Sequence, residues 1–403
     1  MHVAFWSPGW PLEKFQNGIV TYVHWMKLEL ERLGHKVSVF TGDTEYRYGQ
    51  NGVYRVHSRS GLWQNLVRRL GGQNNLAAFD VFQFSTNIAD ASAEVHRRCP
   101  IDIIDMEESF GWFADIEART SIPTLPRLHG PAFLSLVQEE IQSPFNQRKI
   151  DLEGRALRRA IAVTSPSTLT LKQTVARYKL TTFNGHVIAN PIHLDSRTPV
   201  WMLEHCERDT ILFVGRIDLR KGADIVLNAF QLLSNERPEL HLIIVGPDRG
   251  IVTIDGATLK YLDYCNKFYP NGFANRVTYL GPRGNQEITT LRTRAMTTII
   301  ASRWENQGYT LLEAMSQGCP IVSSDAGGNP ECIEDGITGR IARSEDPADF
   351  ARQIGSLLDD PQGAASFGAA AKRTIAERHS VTKIARDSLQ VYEQLATKRR
   401  NIG

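Results

Sequence analysis

Short apolar, largely β-branched runs alternate along this chain with amphipathic stretches that place apolar residues every three or four positions. Runs of about five such residues suit strands buried on both faces, and the helical stretches between them suit crossovers. The alternation therefore predicts parallel sheets covered by helices. The first instance is Val3–Trp6, a loop through Pro8-Gly9-Trp10-Pro11 to Gly18, a helix from Ile19 to Leu33 stopped at Gly34, and a second strand at Val37–Phe40. The pattern restarts with Thr210–Val214, a helix from Ala223 to Leu233 and a strand at Leu242–Val245. Two such openings in 403 residues predict an α/β chain with two doubly wound, Rossmann-like domains. The expected boundaries are 1–190 for the first domain, 191–209 for a polar linker entered at Asn190-Pro191-Ile192, and 210–379 for the second. A last helix over 380–403 repeats Val381, Ile384, Ala385, Leu389, Tyr392 and Leu395 at helical spacing, so one of its faces packs on something.

Other strands are expected at 53–56, 101–104, 161–164, 186–188, 277–280, 296–301 and 320–323. The stretch Pro123–Leu128, with two prolines, is expected to be an edge or irregular strand.

Several function classes are excluded or disfavoured. The formal charge of +2 is too small to argue for nucleic acid. Cys99, Cys206, Cys265, Cys319 and Cys332 form no Cys-x-x-Cys pair, which argues against a structural zinc site or a disulfide framework and for a reducing cytoplasm. No run approaches the roughly 20 apolar residues that span a bilayer. The basic, amphipathic stretch Gly61–Leu70 reads as a helix packed on its own domain, with a membrane-surface helix as the alternative, and the cations Arg68, Arg69, Arg155, Arg158 and Arg159 would allow docking to an anionic membrane, although ordinary surface charge explains them equally. The dinucleotide glycine fingerprint, a Gly-Lys-Ser/Thr phosphate loop, a Gly-x-Ser-x-Gly elbow and a His-Glu-x-x-His pair are all missing from the sequence. No metal site is expected.

The most informative stretch runs from Trp304 to Met315. It follows the strand Met296–Ala301 and precedes a helix from Thr310 to Gln317, closed by Gly318 and Pro320. Glu305 and Gly308 thus fall on a strand-to-helix turn at the carboxyl end of a strand, where open α/β sheets bind ligands. The helix start suits an anionic or hydroxyl-rich group. Glu305 on the loop and Glu313 in the helix could reach groups on the order of 10 Å apart on one extended ligand. A capping carboxylate and a solvated Glu explain the same pair without a ligand. Arg216 and Lys221, on the loop after Thr210–Val214, offer a planar fork and a point charge that together suit a diphosphate. Gly18, at the start of the first helix, lets a phosphate approach the backbone. His129 follows a strand end before a helical stretch. Asp325–Glu331 is a further glycine-rich turn. A ligand carrying a diphosphate, a ribose and a second polyol would use all of these groups.

The set Val214-Gly215-Arg216 with Lys221-Gly222, Glu305-x7-Glu313 with Gly308, Leu312-Glu313-Ala314-Met315, Gly318-Cys319-Pro320-Ile321-Val322 and Gly327-Gly328-Asn329-Pro330-Glu331 resembles the retaining, GT-B-fold glycosyltransferases. That large family, glycosyltransferase family four or glycosyl transferases group one, also includes bacterial mannosyltransferases and sucrose synthases. The chain departs from its usual pattern at Asn17-Gly18, where two glycines are common, and at Gln307, where Phe is common. The resemblance implies an acceptor-binding first domain, a donor-binding second domain, an active site in the cleft between them and a last helix crossing back to the first domain. It implies that Arg216 and Lys221 hold the donor diphosphate, Glu305 the hydroxyls of the transferred sugar and Glu313 the ribose. Backbone N–H groups near Gly308, Tyr309 and Leu312 would also face the donor, Gly18 the phosphate, and His129 the reaction centre.

The implied activity is metal-independent, retaining transfer of a hexosyl unit from a nucleoside-diphosphate sugar, a UDP- or GDP-sugar among the candidates, to an acceptor hydroxyl. The sugar donor is a substrate, and no cofactor is implied. The acceptor would be a saccharide, a lipid-linked sugar or a small molecule, in polysaccharide, glycolipid or small-glycoside biosynthesis. The protein would be cytoplasmic, at most peripheral on the inner face of the cytoplasmic membrane, with no nucleic-acid partner. A sugar-nucleotide epimerase or sugar phosphorylase of the same layout, and a non-catalytic nucleotide-sugar-binding protein, are the alternatives.

Overall fold

The structure is a computed structural model that describes residues 1–15, 17–56, 73–136, 138–180, 184–269 and 272–400. The stretch Gly61–Leu70 lies outside the described residues. The chain divides into two compact units, Met1–Pro191 with Val381–Gly403, and Ile192–Ser380.

In the first unit, β1 (His2–Ser7) leads through a loop to α1 (Gly18–Arg32) and β2 (Lys36–Thr41). Asn17 caps α1 by accepting from the Ile19 N–H at 2.8 Å. Then follow β3 (Val53–Arg55), α2 (Gln73–Arg98), β4 (Ile103–Glu107), α3 (Trp112–Thr120), β5 (Thr124–Arg127), α4 (Pro144–Leu157), β6 (Val163–Ser165), α5 (Thr168–Tyr178) and β7 (Gly185–Val187). The strands form one parallel sheet in the order β3-β2-β1-β4-β5-β6-β7. The sheet order reverses between β1 and β4, where a crevice opens at the strand ends.

Two features depart from the sequence reading. The strand with the prolines, β5, is internal rather than an edge. It pairs with β4 over Thr124–Arg127 but with β6 only at Arg127↔Thr164, so Pro126 takes no part in the β6 pairing. The 26-residue α2 has no counterpart in the reading.

The second unit runs β8 (Glu207–Val214), α6 (Ala223–Glu236), β9 (His241–Val245), a small hairpin of β10 (Ile251–Val252) and β11 (Thr258–Leu259), α7 (Tyr261–Phe268), β12 (Val277–Tyr279), α8 (Asn285–Arg294), β13 (Ala295–Ile300), α9 (Tyr309–Ser316), β14 (Ile321–Ser324), β15 (Arg340–Ala342), α10 (Pro347–Asp359) and α11 (Pro361–Arg378). Strand β8 begins at Glu207, inside the stretch read as linker. The main sheet is parallel in the order β12-β9-β8-β13-β14-β15, reversing between β8 and β13. Both sheets are covered on both faces, which is why their strands read as unbroken apolar runs.

The final helix, α12 (Val381–Arg400), packs in the first unit. Ile384, Ala385, Leu389, Tyr392 and Leu395 share a buried cluster with Val3, Phe5, Tyr22, Met26 and Leu30. The Tyr392 hydroxyl donates to Asp105 Oδ2 at 2.5 Å, and the Tyr22 hydroxyl donates to the same oxygen at 2.9 Å.

Candidate functional site

The reversal in the second sheet places two loops side by side, Gly215–Gly222 after β8 and Ala301–Gly308 after β13. Gly222 has φ +71, and a Cβ there would lie 1.9 Å from the Ala301 carbonyl oxygen, so only glycine permits this approach. Arg303 laces the loops together. Its N–H donates to the Arg220 carbonyl at 2.9 Å, and its guanidinium pairs with Asp224 at 2.8 Å.

Lys221 reaches across the reversal to Glu305, its Nζ donating to Oε1. Burial alone pushes the Glu305 carboxyl up. The charges of Lys221 and Arg220 and the hydrogen bonds from Lys221 and Ser302 outweigh burial, so the carboxyl sits below its ordinary range. A small cavity lined by Lys221, Ser302, Glu305, Gly308 and Thr310 opens at this pair.

Asp218 organises the first loop, and the sequence reading gave it no role. Its Oδ2 pairs with Arg216 Nε at 2.8 Å, and its Oδ1 accepts from the Lys221 N–H at 2.8 Å. An aspartate three residues before a helix-opening lysine is the local signal that could have found it. Arg216 remains 40% exposed along its side chain.

The third loop, after β14, locks the carboxylate turn. Gly327 has φ +66, and a Cβ there would lie 1.9 Å from the Glu305 carbonyl oxygen. The Gly328 N–H donates to that oxygen at 2.7 Å. The Gly308 N–H, expected to face a ligand, instead donates to Asn329 Oδ1 at 3.0 Å. Leu312 is wholly buried, so it supports the site from the core. Tyr309 is half-buried at the first position of α9. Glu313, one turn on, pairs with Arg292 at 2.6 Å and keeps 35% of its side chain exposed. Lys221, Glu305 and Gly308 are thus brought to one cavity, while Leu312 is not exposed to it.

In the first unit, Gly18 is the first residue of α1, and Tyr22 follows one turn later. The half-buried His129 ring meets Tyr22 edge-on, with centroids 5.1 Å apart, so α1 and the turn after β5 converge. Burial and then the Arg127 charge hold the His129 imidazole well below its ordinary pKa, which keeps the ring neutral at physiological pH.

The turn that carries His129 is clamped by the carboxylate of Glu108, one of the polar residues at the end of β4. Glu108, 1% exposed, accepts the His129 N–H at Oε2 and the Gly130 N–H at Oε1, both at 2.9 Å. Glu153 accepts the Ala132 N–H at 3.0 Å. Burial, then the neighbouring Glu107 charge, pushes the Glu108 carboxyl up to about 7, and burial, then the Glu108 charge, pushes Glu153 to about 8. Among the described residues, no three His, Cys, Asp or Glu side chains gather to hold a metal ion. Among them, no helix is long and apolar enough to cross a membrane.

Comparison with known proteins identifies the family. The model for Glycosyltransferase Family 4 matches residues 16–196, and that for Glycosyl transferases group 1 matches residues 203–374. The chain belongs to this family of glycosyltransferases and has its two-domain GT-B fold. A D-inositol 3-phosphate glycosyltransferase from Streptomyces scabiei is 34% identical over 161 residues, 40% of this chain and 36% of that protein. The chain therefore spans about a third of the length of the curated relatives it matches first. Another protein of that name, from Corynebacterium kroppenstedtii, is 23% identical over 95% of this chain and 86% of its own. Among solved structures, sucrose-phosphate synthase from Thermosynechococcus elongatus superposes with a TM-score of 0.74 at 18% identity, covering 98% of this chain and 99% of that one. HepE from Anabaena, solved in complex with UDP-glucose, superposes with a TM-score of 0.70 at 18% identity, covering 98% and 100%.

Proposed function

We propose that this protein transfers a hexosyl unit from a nucleoside-diphosphate sugar to an acceptor hydroxyl, with retention and without a metal ion. The observation that carries the reading is the Lys221–Glu305 pair at the strand-order reversal of the second sheet, with Arg216 on the same loop. Departure of a nucleoside diphosphate develops negative charge on its phosphate oxygens. Lys221, Arg216 and the N-terminal end of α9 supply fixed positive charge for it, and preorganised charge of this kind is worth about 3–4 kcal/mol per donor. Glu305, ionised and held by Lys221, accepts hydroxyls of the departing sugar. Glu313 accepts those of the ribose. In the first unit, Gly18 gives the phosphate a close backbone approach, and the neutral His129 approaches the reaction centre. The substrates would be the nucleotide-sugar donor and a saccharide, lipid-linked or small-molecule acceptor. Retention has the acceptor attack the face that the leaving group vacates, with the departing phosphate taking the acceptor proton. The protein would work in the cytoplasm or peripherally at the membrane's inner face.

A thermal-shift panel of UDP-, GDP- and ADP-sugars with their bare nucleotides tests donor binding, because a ligand that binds only the folded state raises Tm by mass action. The UDP-glucose bound by HepE makes that donor the first to try. A selective rise that Lys221→Ala abolishes supports the reading, and no rise with any donor overturns it. Incubating the bound donor with candidate acceptors and assigning the product anomer by NMR tests retention. Conversion of the donor without an acceptor, or only with free phosphate, would replace the reading with an epimerase or a phosphorylase.

A further inference from the structure

We propose that Arg292 is a positioning residue for Glu313, fixing one carboxylate oxygen so that the other is left to accept a vicinal diol of the ligand. The inference rests on the reading of Glu313 as the group that meets the donor ribose.

Arg292 lies in the last turn of α8 and is 2% exposed. A guanidinium buried to that degree costs several kcal/mol unless it is paired. Its one short bond is Nη2 to Glu313 Oε2, at 2.6 Å. Nη1 reaches Gln317 Oε1 at 3.4 Å, and Nε has no partner. Glu313 and Gln317 are four residues apart on one face of α9 and its cap, so a single fork meets both.

Gln317 is itself anchored. Its Nε2 donates to the Thr289 carbonyl at 3.1 Å and to the Pro199 carbonyl at 3.4 Å, and its own carbonyl accepts from the Trp201 N–H at 2.8 Å. Behind Glu313 there is therefore a fixed, buried frame, whereas the Glu313 side chain is about a third exposed. A staple that served only to join α8 to α9 would bury the carboxylate and bond both oxygens. Here Oε2 is committed inward to Arg292, while about a third of the side chain stays exposed. A carboxylate already held in one rotamer loses little freedom when it binds. An acceptor with one available oxygen suits two adjacent hydroxyl donors, as on a ribose, and loses a donor when the 2′-hydroxyl is absent.

The test uses the full chain and the nucleoside diphosphate that gives the largest thermal shift among UDP, GDP and ADP, paired with its 2′-deoxy form. Affinities of both are measured for the wild type, Arg292→Met, Arg292→Lys and Glu313→Ala. A hydrogen bond to a charged group predicts a preference of about tenfold for the ribo form in the wild type. Arg292→Met should lose most of that preference and raise the donor KM more than it lowers kcat. Arg292→Lys keeps a buried cation without the fork and should lie between the two, and it carries the test if Arg292→Met does not fold. An unchanged ribo-to-deoxy ratio in the folded Arg292 variants, with the ratio lost in Glu313→Ala, overturns the positioning role and leaves the Glu313 reading standing. A ratio retained in Glu313→Ala overturns the Glu313 reading and the proposal with it, as does a wild type that binds none of the three nucleotides.

Discussion

The Lys221 ammonium and the Glu305 carboxylate are 84 residues apart in sequence and form one ion pair across the reversal of the second sheet. Each holds the other in place. A ligand anion would therefore meet a lysine whose position is already set, and a ligand hydroxyl a carboxylate kept ionised.

Lys221→Ala and Glu305→Ala are each expected to lower kcat/KM by about 100-fold or more while far-UV circular dichroism stays that of the wild type. Because the two groups are paired, the double substitution should cost far less than the product of the single effects. Near-normal turnover in both folded single variants would remove the pair from the site.

Gly327→Ala should destabilise the second unit by about 1–3 kcal/mol, read as a lower urea midpoint. The positive φ and the 1.9 Å approach of a Cβ to the Glu305 carbonyl oxygen give the backbone no room. Since the strain falls on Glu305, donor affinity should fall as well. An unchanged midpoint would show that the turn relaxes freely.

Glu108 and Glu153 set a pH dependence. Their carboxyls are raised from an ordinary 4.5 to about 7 and about 8. Between those limits the folded state keeps protons that the unfolded chain has released. Their contribution to stability is therefore complete below pH 4.5 and is lost as pH rises through 7 and 8. Tm measured from pH 5 to pH 9 should fall across the neutral range, and Glu153→Gln should flatten that fall. An equal slope in the variant would refute the assignment.

Much of this site was legible from residue order alone, and the rest depended on strand order. The run Trp304–Met315 announced its turn because an apolar strand, a glycine and a helix follow one another locally. Lys221 and Arg216 were visible for the same reason. The contact of Lys221 with Glu305 was not, since only the order β12-β9-β8-β13 makes their loops neighbours. Pro126 pointed to an edge strand, but β5 meets β6 at a single position, which spares the proline a missing bond. The Leu312 N–H, expected to face the donor, donates to the Gly308 carbonyl at 3.2 Å instead. The Gly308 amide was read as free, and Asn329, 21 residues away, takes it. The clamp of Glu108 on His129 and Gly130 likewise joins residues that only the pairing of β4 with β5 brings together.

Tyr392→Phe should cost the first unit about 1–3 kcal/mol in chemical unfolding. It removes one of the two hydroxyl donors to the buried Asp105 Oδ2 and leaves that oxygen with Tyr22 alone. A change below a few tenths of a kcal/mol would show that water replaces the lost hydroxyl.

The location of α12 in the first unit has a consequence for the order in which the protein is made. Residues 192–380 leave the ribosome before the segment that supplies Ile384, Leu389, Tyr392 and Leu395 to the core of the first unit. The second unit has all its residues and can fold while the first still lacks one layer, with Asp105 and the apolar side chains under that helix open to solvent. A chain ended after Ser380 and released should therefore yield a protease-resistant second unit and a sensitive first one. Protection of the first should arrive only when the helix has emerged.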